Sequence, residues 1–258
     1  MFRLWNINTF FQFKLWHLLA MAEIKQTFKR SILGTLWHSL GTGIAILGIG
    51  PLYATIFKIE IGEYFVFIAI SLIIWNYVQG TITEATGVFS AHESYIKDLN
   101  IKEPVFIYKI VWKNTIIFLQ NIVMVGVIFI FLGEISRYHP FYLISIIPLL
   151  FLLLVNLSML IGLLSTRYRD VAQIVKSGMQ VLFFITPILW KPGRDMSDNS
   201  LAIALNPLYY IINVPRELAL GNMVKINHLY LLIIFLILSF LLSEFFYKKY
   251  FKRVVFWI

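Results

Sequence analysis

Long uncharged apolar stretches alternate with short polar segments along the chain. About 18 to 20 apolar residues suffice to cross a bilayer as a helix. Five uncharged stretches reach that length: 31–57, 64–83, 114–133, 138–166 and 226–243. A sixth, 177–190, reaches it when extended back to Val171 across Lys176, because a lysine near a helix end can extend its amine to the interface. The pattern predicts an all-α integral membrane protein with six transmembrane helices.

The predicted architecture is one transmembrane domain, 1–258. The spans are predicted at about 36–57, 64–85, 107–132, 142–165, 171–190 and 228–247. A further uncharged run, 199–215, contains Asn206, Pro207, Asn213 and Pro215, a poor composition for a lipid-facing helix. We therefore expect 191–227 to form an outer region of re-entrant helices between spans five and six.

The segment 14–30 differs from the spans. Leu15, Leu18, Leu19 and Ala22 fall at i, i+3, i+4 and i+7, and charged side chains occupy the rest of the helical wheel. This pattern is typical of an amphipathic helix that lies in the membrane interface. Such a helix can be a simple anchor, or a lever on which a cytosolic partner acts.

Composition and charge agree with a membrane protein and predict its orientation. Hydrophobic residues make up 59% of the chain and charged residues 14%, against about 25% charged in soluble domains. With the N-terminus in the cytoplasm, six spans place 16 of the 22 basic residues inside, as the positive-inside rule requires. Both termini are then cytoplasmic. The basic inner face suits anionic lipids or a phosphorylated lipid substrate, although ordinary topology signalling explains it equally.

The residues required for most enzyme chemistry are missing. The sequence has no cysteine, no Gly-Lys pair of a phosphate-binding loop, and no Gly-x-Ser-x-Gly motif. No two histidines stand four residues apart, so neither a metal site nor any catalytic residue is predicted. The interiors of the spans are free of acids, and Glu84 lies near the inner end of span two, where a structural anchor and a proton relay both remain possible. Because the chain has no nucleotide-binding motif and no coupling acid within a span, we expect a separate ATPase subunit to supply the energy for transport.

Aromatic residues are abundant, at 17% of the chain. Inside a pore they offer flat faces on which sugar rings can slide, although interfacial belts and helix packing are commoner uses. The candidates for the substrate path are Trp75, Tyr77, Trp112, Phe118, Phe183 and Phe184.

Several ordered motifs resemble a known family. They are 29–37 at the start of span one, 94–104 before span three, 167–171 between spans four and five, 186–190, and 205–207. With six spans, their order resembles the membrane (permease) subunit of ABC-type polysaccharide exporters, which work with a separate ATPase to export lipid-linked O-antigen and related polymers.

The resemblance implies a homodimer with two cytoplasmic ATP-binding subunits, which bind ATP and Mg; this chain binds no cofactor. The conduit would follow the dimer interface, and outer helices matching 201–220 would shape its exit. The substrate would be a polyprenyl-diphosphate-linked polysaccharide, moved from cytoplasm to periplasm across the bacterial inner membrane. Membrane lipids are further partners, and nucleic acid is not.

The resemblance also implies contacts between the ATPase and both the amphipathic helix and 89–104. The residues expected to couple to it are Lys14, Glu23, Lys25, Lys29, Arg30, His92, Glu93, Tyr95 and Lys97. Lys109 and Lys113 are expected at the inner mouth, either attracting the diphosphate or anchoring the topology. Arg167, Arg169 and Asp170 are expected to form a salt-bridged turn or to touch the ATPase.

Three alternatives remain open on the sequence. In the first, the chain is a similar permease that exports capsule, teichoic acid or a small hydrophobic compound. In the second, it is a membrane-embedded lipid-modifying enzyme, although the only closely spaced acids, Asp195 and Asp198, lie in the outer region. In the third, it is a scaffold that transports nothing.

Overall fold

The computed structural model describes residues 12–27, 29–99, 101–191, 203 and 205–258. Over these residues the protein is helical and contains no strand. The helices are α1 Phe13–Thr27, α2 Leu36–Phe57, α3 Ile61–Ala85, α4 Glu93–Lys97, α5 Glu103–Leu132, α6 Pro140–Ser145, α7 Ile147–Arg167, α8 Asp170–Ile185, α9 Pro207–Ala219 and α10 Ile226–Trp257. Short 3₁₀ turns cover Ser90–His92 and Ile135–Arg137.

Five helices of the described chain are long and apolar enough to cross a membrane: α2, α3, α5, α7 and α10. The sixth expected span corresponds to α8, which has 16 residues and ends before Thr186 and Pro187. At 1.5 Å per residue α8 is about 24 Å long, and a proline disfavours helix in the residue before it. The protein is therefore a multi-pass membrane protein with five helices able to span the bilayer, and the sixth span remains a prediction.

The helix α3 is the centre of the bundle. Of its most apolar 18-residue window 83% is buried, against 22% for the corresponding window of α2. It packs against α2, α5, α7, α8 and α9. A helix that is apolar on all sides is expected in such a central position. The low burial of α2 shows that this helix packs through one side only.

Two small residues allow close helix approach. A Cβ atom on Gly50 of α2 would lie 2.9 Å from the ring of Phe65 on α3, and one on Gly162 of α7 would lie 2.8 Å from Val88. Real Cβ atoms do not come this close, so glycine is required for the observed packing. These contacts fix α2 and α7 against the central helix and the segment that follows it.

The two ends of the bundle differ in composition. The basic end holds α1, α4 and the last turns of α10. There Lys97 Nζ donates to the carbonyl oxygen of Ile258 over 3.0 Å, and the guanidinium of Arg167 lies 5.6 Å from the ring centre of Trp257. At the opposite end Lys191 pairs with Glu63 over 2.6 Å.

Helix α1 is packed as well as amphipathic. Its side chains Trp16, Ala20 and Ile24 are buried against the bundle, mainly against α5. The helix ends at Thr27, three residues before the end of the expected interfacial segment. Its inner face is therefore part of the protein core, and only its outer face is available to the interface or to a partner.

Candidate functional site

A groove of about 570 Å³ runs between α2, α3 and α8. Its aromatic lining is Trp37, Trp75, Phe183 and Phe184, and its polar lining is His38, Thr42, Asn76, Gln79 and Gln180. Gly41, Ala45, Ile49 and Leu72 complete the wall. We refer to this feature as the groove.

The polar residues of the groove share one face on each helix. On α3, Leu72, Asn76 and Gln79 follow at intervals of four and three, and on α8 Gln180 stands four residues before Phe184. Asn76 is exposed halfway along a spanning helix, and its amide donates to Thr42 Oγ1 over 3.1 Å. Polar side chains at this depth face a cavity or a partner rather than lipid. The groove is therefore a hydrated or partner-covered surface within the bilayer.

A second, smaller cavity of about 170 Å³ continues the groove towards α5. It shares Thr42 and Asn76 with the groove and adds Asn121. Behind it, the rings of Tyr77 and Phe118 stack with centroids 4.8 Å apart and planes 9° apart. Amide groups therefore line the inner wall as well as the open side.

Five of the six aromatic candidates for the substrate path lie at these cavities. Trp75, Phe183 and Phe184 line the groove, while Tyr77 and Phe118 line the smaller cavity. The sixth, Trp112, does not line either one. Its indole nitrogen donates to His17 Nδ1 over 2.8 Å, and its ring contacts those of Phe13 and Trp16 at centroid distances of 5.7 and 5.6 Å. Trp112 holds α1 against α5.

A cluster of charged side chains joins α1 to the bundle at the basic end. Glu23 of α1 accepts hydrogen bonds from Lys109 and from Lys113, the latter at 2.5 Å. Lys113 also pairs with Glu84 of α3. Lys109 donates to His92 Nε2 over 2.8 Å. We call Glu23, Glu84, His92, Lys109 and Lys113 the coupling cluster, because it connects three helices and the segment before α4.

The protonation of the cluster follows from its contacts. Nδ1 of His92 lies 2.7 Å from the carbonyl oxygen of Val88, which can only accept, so Nδ1 carries the proton and Nε2 accepts from Lys109. Burial and the charge of Lys109 lower the pKa of His92. Burial alone would raise the pKa of Glu23, but the hydrogen bonds from Lys109 and Lys113 lower it to about 2. The cluster holds two carboxylates, two ammonium groups and a neutral imidazole.

The two lysines expected at the inner mouth are thus part of this cluster. Lys109 is only 3% exposed, and both ammonium groups already contact carboxylates. In this arrangement the two lysines join α1, α3 and α5 through carboxylates. Attraction of a diphosphate would require Lys109 and Lys113 to leave Glu23 and Glu84.

The other residues expected to contact an ATPase lie on the surface of the basic end. Lys14, Lys25, Lys29, Arg30, Glu93, Tyr95 and Lys97 are exposed, with Lys97 and Glu93 paired over 2.7 Å. By contrast, Glu23 and His92 turn inward to the coupling cluster. The exposed set forms one surface at the basic end, and the inward pair links that surface to the spanning helices.

The connection between α7 and α8 differs from the expected salt-bridged turn. Arg167, Arg169 and Asp170 are all exposed, and within the described chain no ion pair joins either arginine to Asp170. The guanidinium of Arg167 instead lies over the rings of Tyr168 and Trp257, at 5.3 and 5.6 Å. A cation over an aromatic ring is favourable without a carboxylate.

Sequence reasoning missed the polar lining and one buried arginine. The polar lining residues lie within uncharged stretches, where charge placement gives no information: His38, Thr42, Asn76, Gln79 and Gln180. The pattern that could have identified them is polar residues repeated every three or four positions within an apolar span. Arg216, in the expected outer re-entrant region, is 2% exposed: it donates to the carbonyl oxygen of Pro187 over 2.7 Å and lies over the Phe67 ring at 4.4 Å. It joins α9 to α3 and to the segment after α8.

A comparison with known families and proteins agrees with this architecture. The family model described as ABC-2 type transporter matches residues 14–220, which includes α1, α8, α9 and the groove. An O-antigen export system permease protein RfbA of Klebsiella pneumoniae is 25% identical over 242 residues, covering 88% of each chain. A protein of the same name from Myxococcus xanthus is 24% identical over 194 residues, covering 74% of each chain. The matched length exceeds half of the sequence, and the protein is a membrane subunit of the ABC-2 type transporter family rather than an enzyme.

Proposed function

We propose that this chain is the permease of an ABC exporter that moves a polyprenyl-diphosphate-linked polysaccharide, of the O-antigen kind, from cytoplasm to periplasm across the bacterial inner membrane. The family, together with relatives named as O-antigen export permeases, supports this assignment. The observation that carries it is the groove. Its amide and aromatic side chains lie together on otherwise apolar helices, as a path for sugar rings requires.

The conduit in this proposal forms between two copies of the chain. The groove is open on one side, and a Cβ atom on Gly41, Gly48 or Gly178 of the flanking helices would meet no atom within 4 Å. A second copy that packs against these faces would enclose the groove, since small residues permit close helix approach in membranes. The same groove residues would then line both walls.

The energy comes from two partner subunits that bind ATP and Mg. We propose that they contact the exposed surface of α1 and α4, where Lys14, Lys25 and Lys97 lie. A push on α1 would reach α3 and α5 through Glu23 and its two lysine partners. This route uses charge pairs that already span the three helices, and it requires no charged group in the conduit.

The proposed orientation places the basic end, and both termini, in the cytoplasm. The positive-inside rule supports this orientation, because most lysine and arginine residues lie at that end. Helix α8 then completes the sixth crossing together with the residues after Ile185, and α9 forms part of an outer re-entrant region that Arg216 holds against α3. The part of the expected re-entrant region at 192–202 lies outside the described residues.

Gene deletion tests the transport proposal. Loss of the chain should leave lipid-linked polysaccharide in the cytoplasm and remove it from the cell surface, and the intact chain should restore surface polymer. Surface polymer that is unchanged after deletion would contradict the proposal and favour a scaffold. Activity of the purified chain without an ATPase would instead favour a lipid-modifying enzyme.

Cysteine crosslinking tests the homodimer separately. The chain has no cysteine, so each introduced thiol reports on a single site. Gly41→Cys, on the open face of α2, should form a disulfide-linked dimer in membranes. Ile234→Cys on α10 is the matched control, because its side chain is 51% exposed but lies away from the groove. Equal crosslinking at the two positions would contradict a dimer through the groove.

A further inference from the structure

The groove has no ionised wall residue. Its thirteen lining residues contain no acidic, lysine or arginine side chain, and His38 is its only titratable group. The smaller cavity behind it adds Asn114 and Asn121 but again no charge. Hydrogen bonding in this part of the described chain is therefore supplied by amide, hydroxyl and imidazole groups.

Charged side chains begin only beyond the groove. On α8 the nearest is Lys176, one helical turn from Gln180 towards the basic end. On α5 it is Lys113, next to Asn114, and Lys113 is paired with Glu23 and Glu84. On α2 no charged residue occurs between Arg30 and Lys58. A substrate in the groove thus meets no fixed charge over the described width of its wall.

The lack of charge discriminates between kinds of polymer. An ionised group that leaves water without a counter-charge incurs a large desolvation cost. Pores that conduct anions supply rings of arginine or lysine to offset this cost. Neutral sugars need no such offset: amides can replace the water bound to their hydroxyl groups, and rings such as Trp75 and Phe183 can cover their apolar faces.

We propose that the groove passes glycans whose repeating units are uncharged, and that it holds back polymers with a carboxylate or phosphate in every repeat. This inference rests on the proposed function and specifies its substrate class. The diphosphate of the lipid carrier occurs once per polymer, whereas an acidic repeat brings a new charge into the groove at every step of export. Discrimination therefore grows with the number of acidic repeats.

The test uses the complete exporter, permease and ATPase together, in a host without its own exporter. Two lipid-linked glycans of equal repeat length are supplied, identical except that one sugar is glucose in the first and glucuronic acid in the second. The rate at which each reaches the cell surface is measured at equal permease level. We expect the acidic glycan to appear at least about tenfold more slowly, because each ionised repeat leaves water without a counter-charge.

Gln180→Lys places a cation on the groove wall and should raise export of the acidic glycan several-fold relative to the neutral one. Gln180→Met, of similar length and uncharged, is the control and should leave the ratio unchanged. Both variants change an exposed residue, and their level in the membrane verifies folding.

Equal rates for the two glycans in the unmodified exporter would overturn the inference and leave the proposed function standing. A slow acidic glycan whose rate is the same in Gln180→Lys and Gln180→Met would also overturn it, because selection would then arise outside the groove. If neither glycan reaches the surface, the proposed function itself fails.

Discussion

The coupling cluster and the groove are both polar features in an apolar bundle, but the cluster is built from paired charges and the groove from uncharged polar groups. In the cluster every charged group has a partner of opposite sign, and Lys109 is almost entirely buried. In the groove the polar groups are uncharged, and Asn76 and Gln180 are exposed. Partnered charge holds helices together, whereas uncharged groups on an open wall are available to a ligand.

In the proposed exporter, the difference would assign each feature to a step of transport. A buried ion pair is strongly weakened when one partner moves away, so the cluster would transmit a displacement of α1 to α3 and α5. Weak hydrogen-bonding groups such as Asn76 would let a polymer advance without being trapped. Under this proposal, charge serves coupling and is excluded from the path.

Removing Glu23 should have the largest effect. Glu23→Leu leaves the buried Lys109 without a carboxylate, and Lys113 retains only Glu84. We expect the free energy of unfolding to fall by about 3 kcal/mol, the lower end of the range for an uncompensated buried charge, because Glu23 itself is 32% exposed. Denaturant unfolding of the purified chain in detergent measures this loss, and export should stop.

The double variant Glu23→Leu, Lys109→Met separates charge pairing from simple packing. Removing both charges deletes the uncompensated ammonium group and should restore most of the lost stability. Export should remain impaired, because α1 is no longer linked to α5 by charge. A double variant as unstable as the single one would show that the unpaired ammonium group of Lys109 is not the cause of the loss.

Glycine substitutions on α2 compare its packed side with its groove side. Gly50→Ala places a Cβ atom 2.9 Å from the Phe65 ring and should cost about 1–3 kcal/mol, as overpacking does. Gly41→Ala meets no atom within 4 Å and should raise helix stability by about 0.5–1 kcal/mol. Unfolding of the monomer, isolated by size in detergent, measures both. Equal destabilisation by the two would mean that the groove side of α2 is also packed within one chain.

Two asparagines, one buried in the core and one on the groove wall, compare the two regions with smaller expected changes in stability. Asn156 is buried between α7 and α10 and accepts from Ser243 Oγ over 3.2 Å, so Asn156→Leu should cost about 1 kcal/mol. Asn76→Leu removes an exposed amide and its hydrogen bond to Thr42, and should cost about 0.5 kcal/mol, the lower end for a hydrogen bond. Their effects on export should be reversed, with Asn76→Leu slowing it several-fold at equal protein level. An Asn76→Leu chain that exports normally would remove this residue from the path.

Hydrophobic patterning predicted the membrane fold well but located the site only in part. The family expectation is confirmed, and five of the expected spans correspond to helices long and apolar enough to cross a membrane, because uncharged runs of spanning length leave few alternatives in a bilayer. The spacing of four residues between Lys109 and Lys113 also predicted that both side chains lie on the same face of their helix. Their partner was not, since Glu23 is 86 and 90 residues away along the chain. Such pairing depends on how α1 packs, which local sequence does not determine.

The groove was hidden for a different reason. Trp75 and Phe183 were selected as aromatic residues, but the same criterion selected Trp112, which packs against α1. A single polar residue lowers the mean hydropathy of a span only slightly, so its role is not evident until the helices are placed together. Only the tertiary arrangement showed that Asn76 and Gln180 meet at one wall.

The smallest expected effect is a pH dependence that originates in the cluster. The pKa of His92 is lowered in the folded protein by burial and by Lys109, so the unfolded chain takes up a proton near pH 6.5 while the folded chain does not. The stability of the wild type should therefore fall as the pH drops from 7.5 to 5.5. Glu23, whose pKa is about 2, stays ionised in this window and contributes nothing to the slope.

His92→Gln removes the titrating group while its side-chain carbonyl can still accept a hydrogen bond from Lys109. Its unfolding free energy should fall less than that of the wild type between pH 7.5 and 5.5, and the other four histidines act equally in both chains. Identical slopes would mean that His92 is protonated beside Lys109 in the folded protein. The cluster would then carry a net positive charge, and the contrast with the uncharged groove would be one of charge excess rather than of charge pairing.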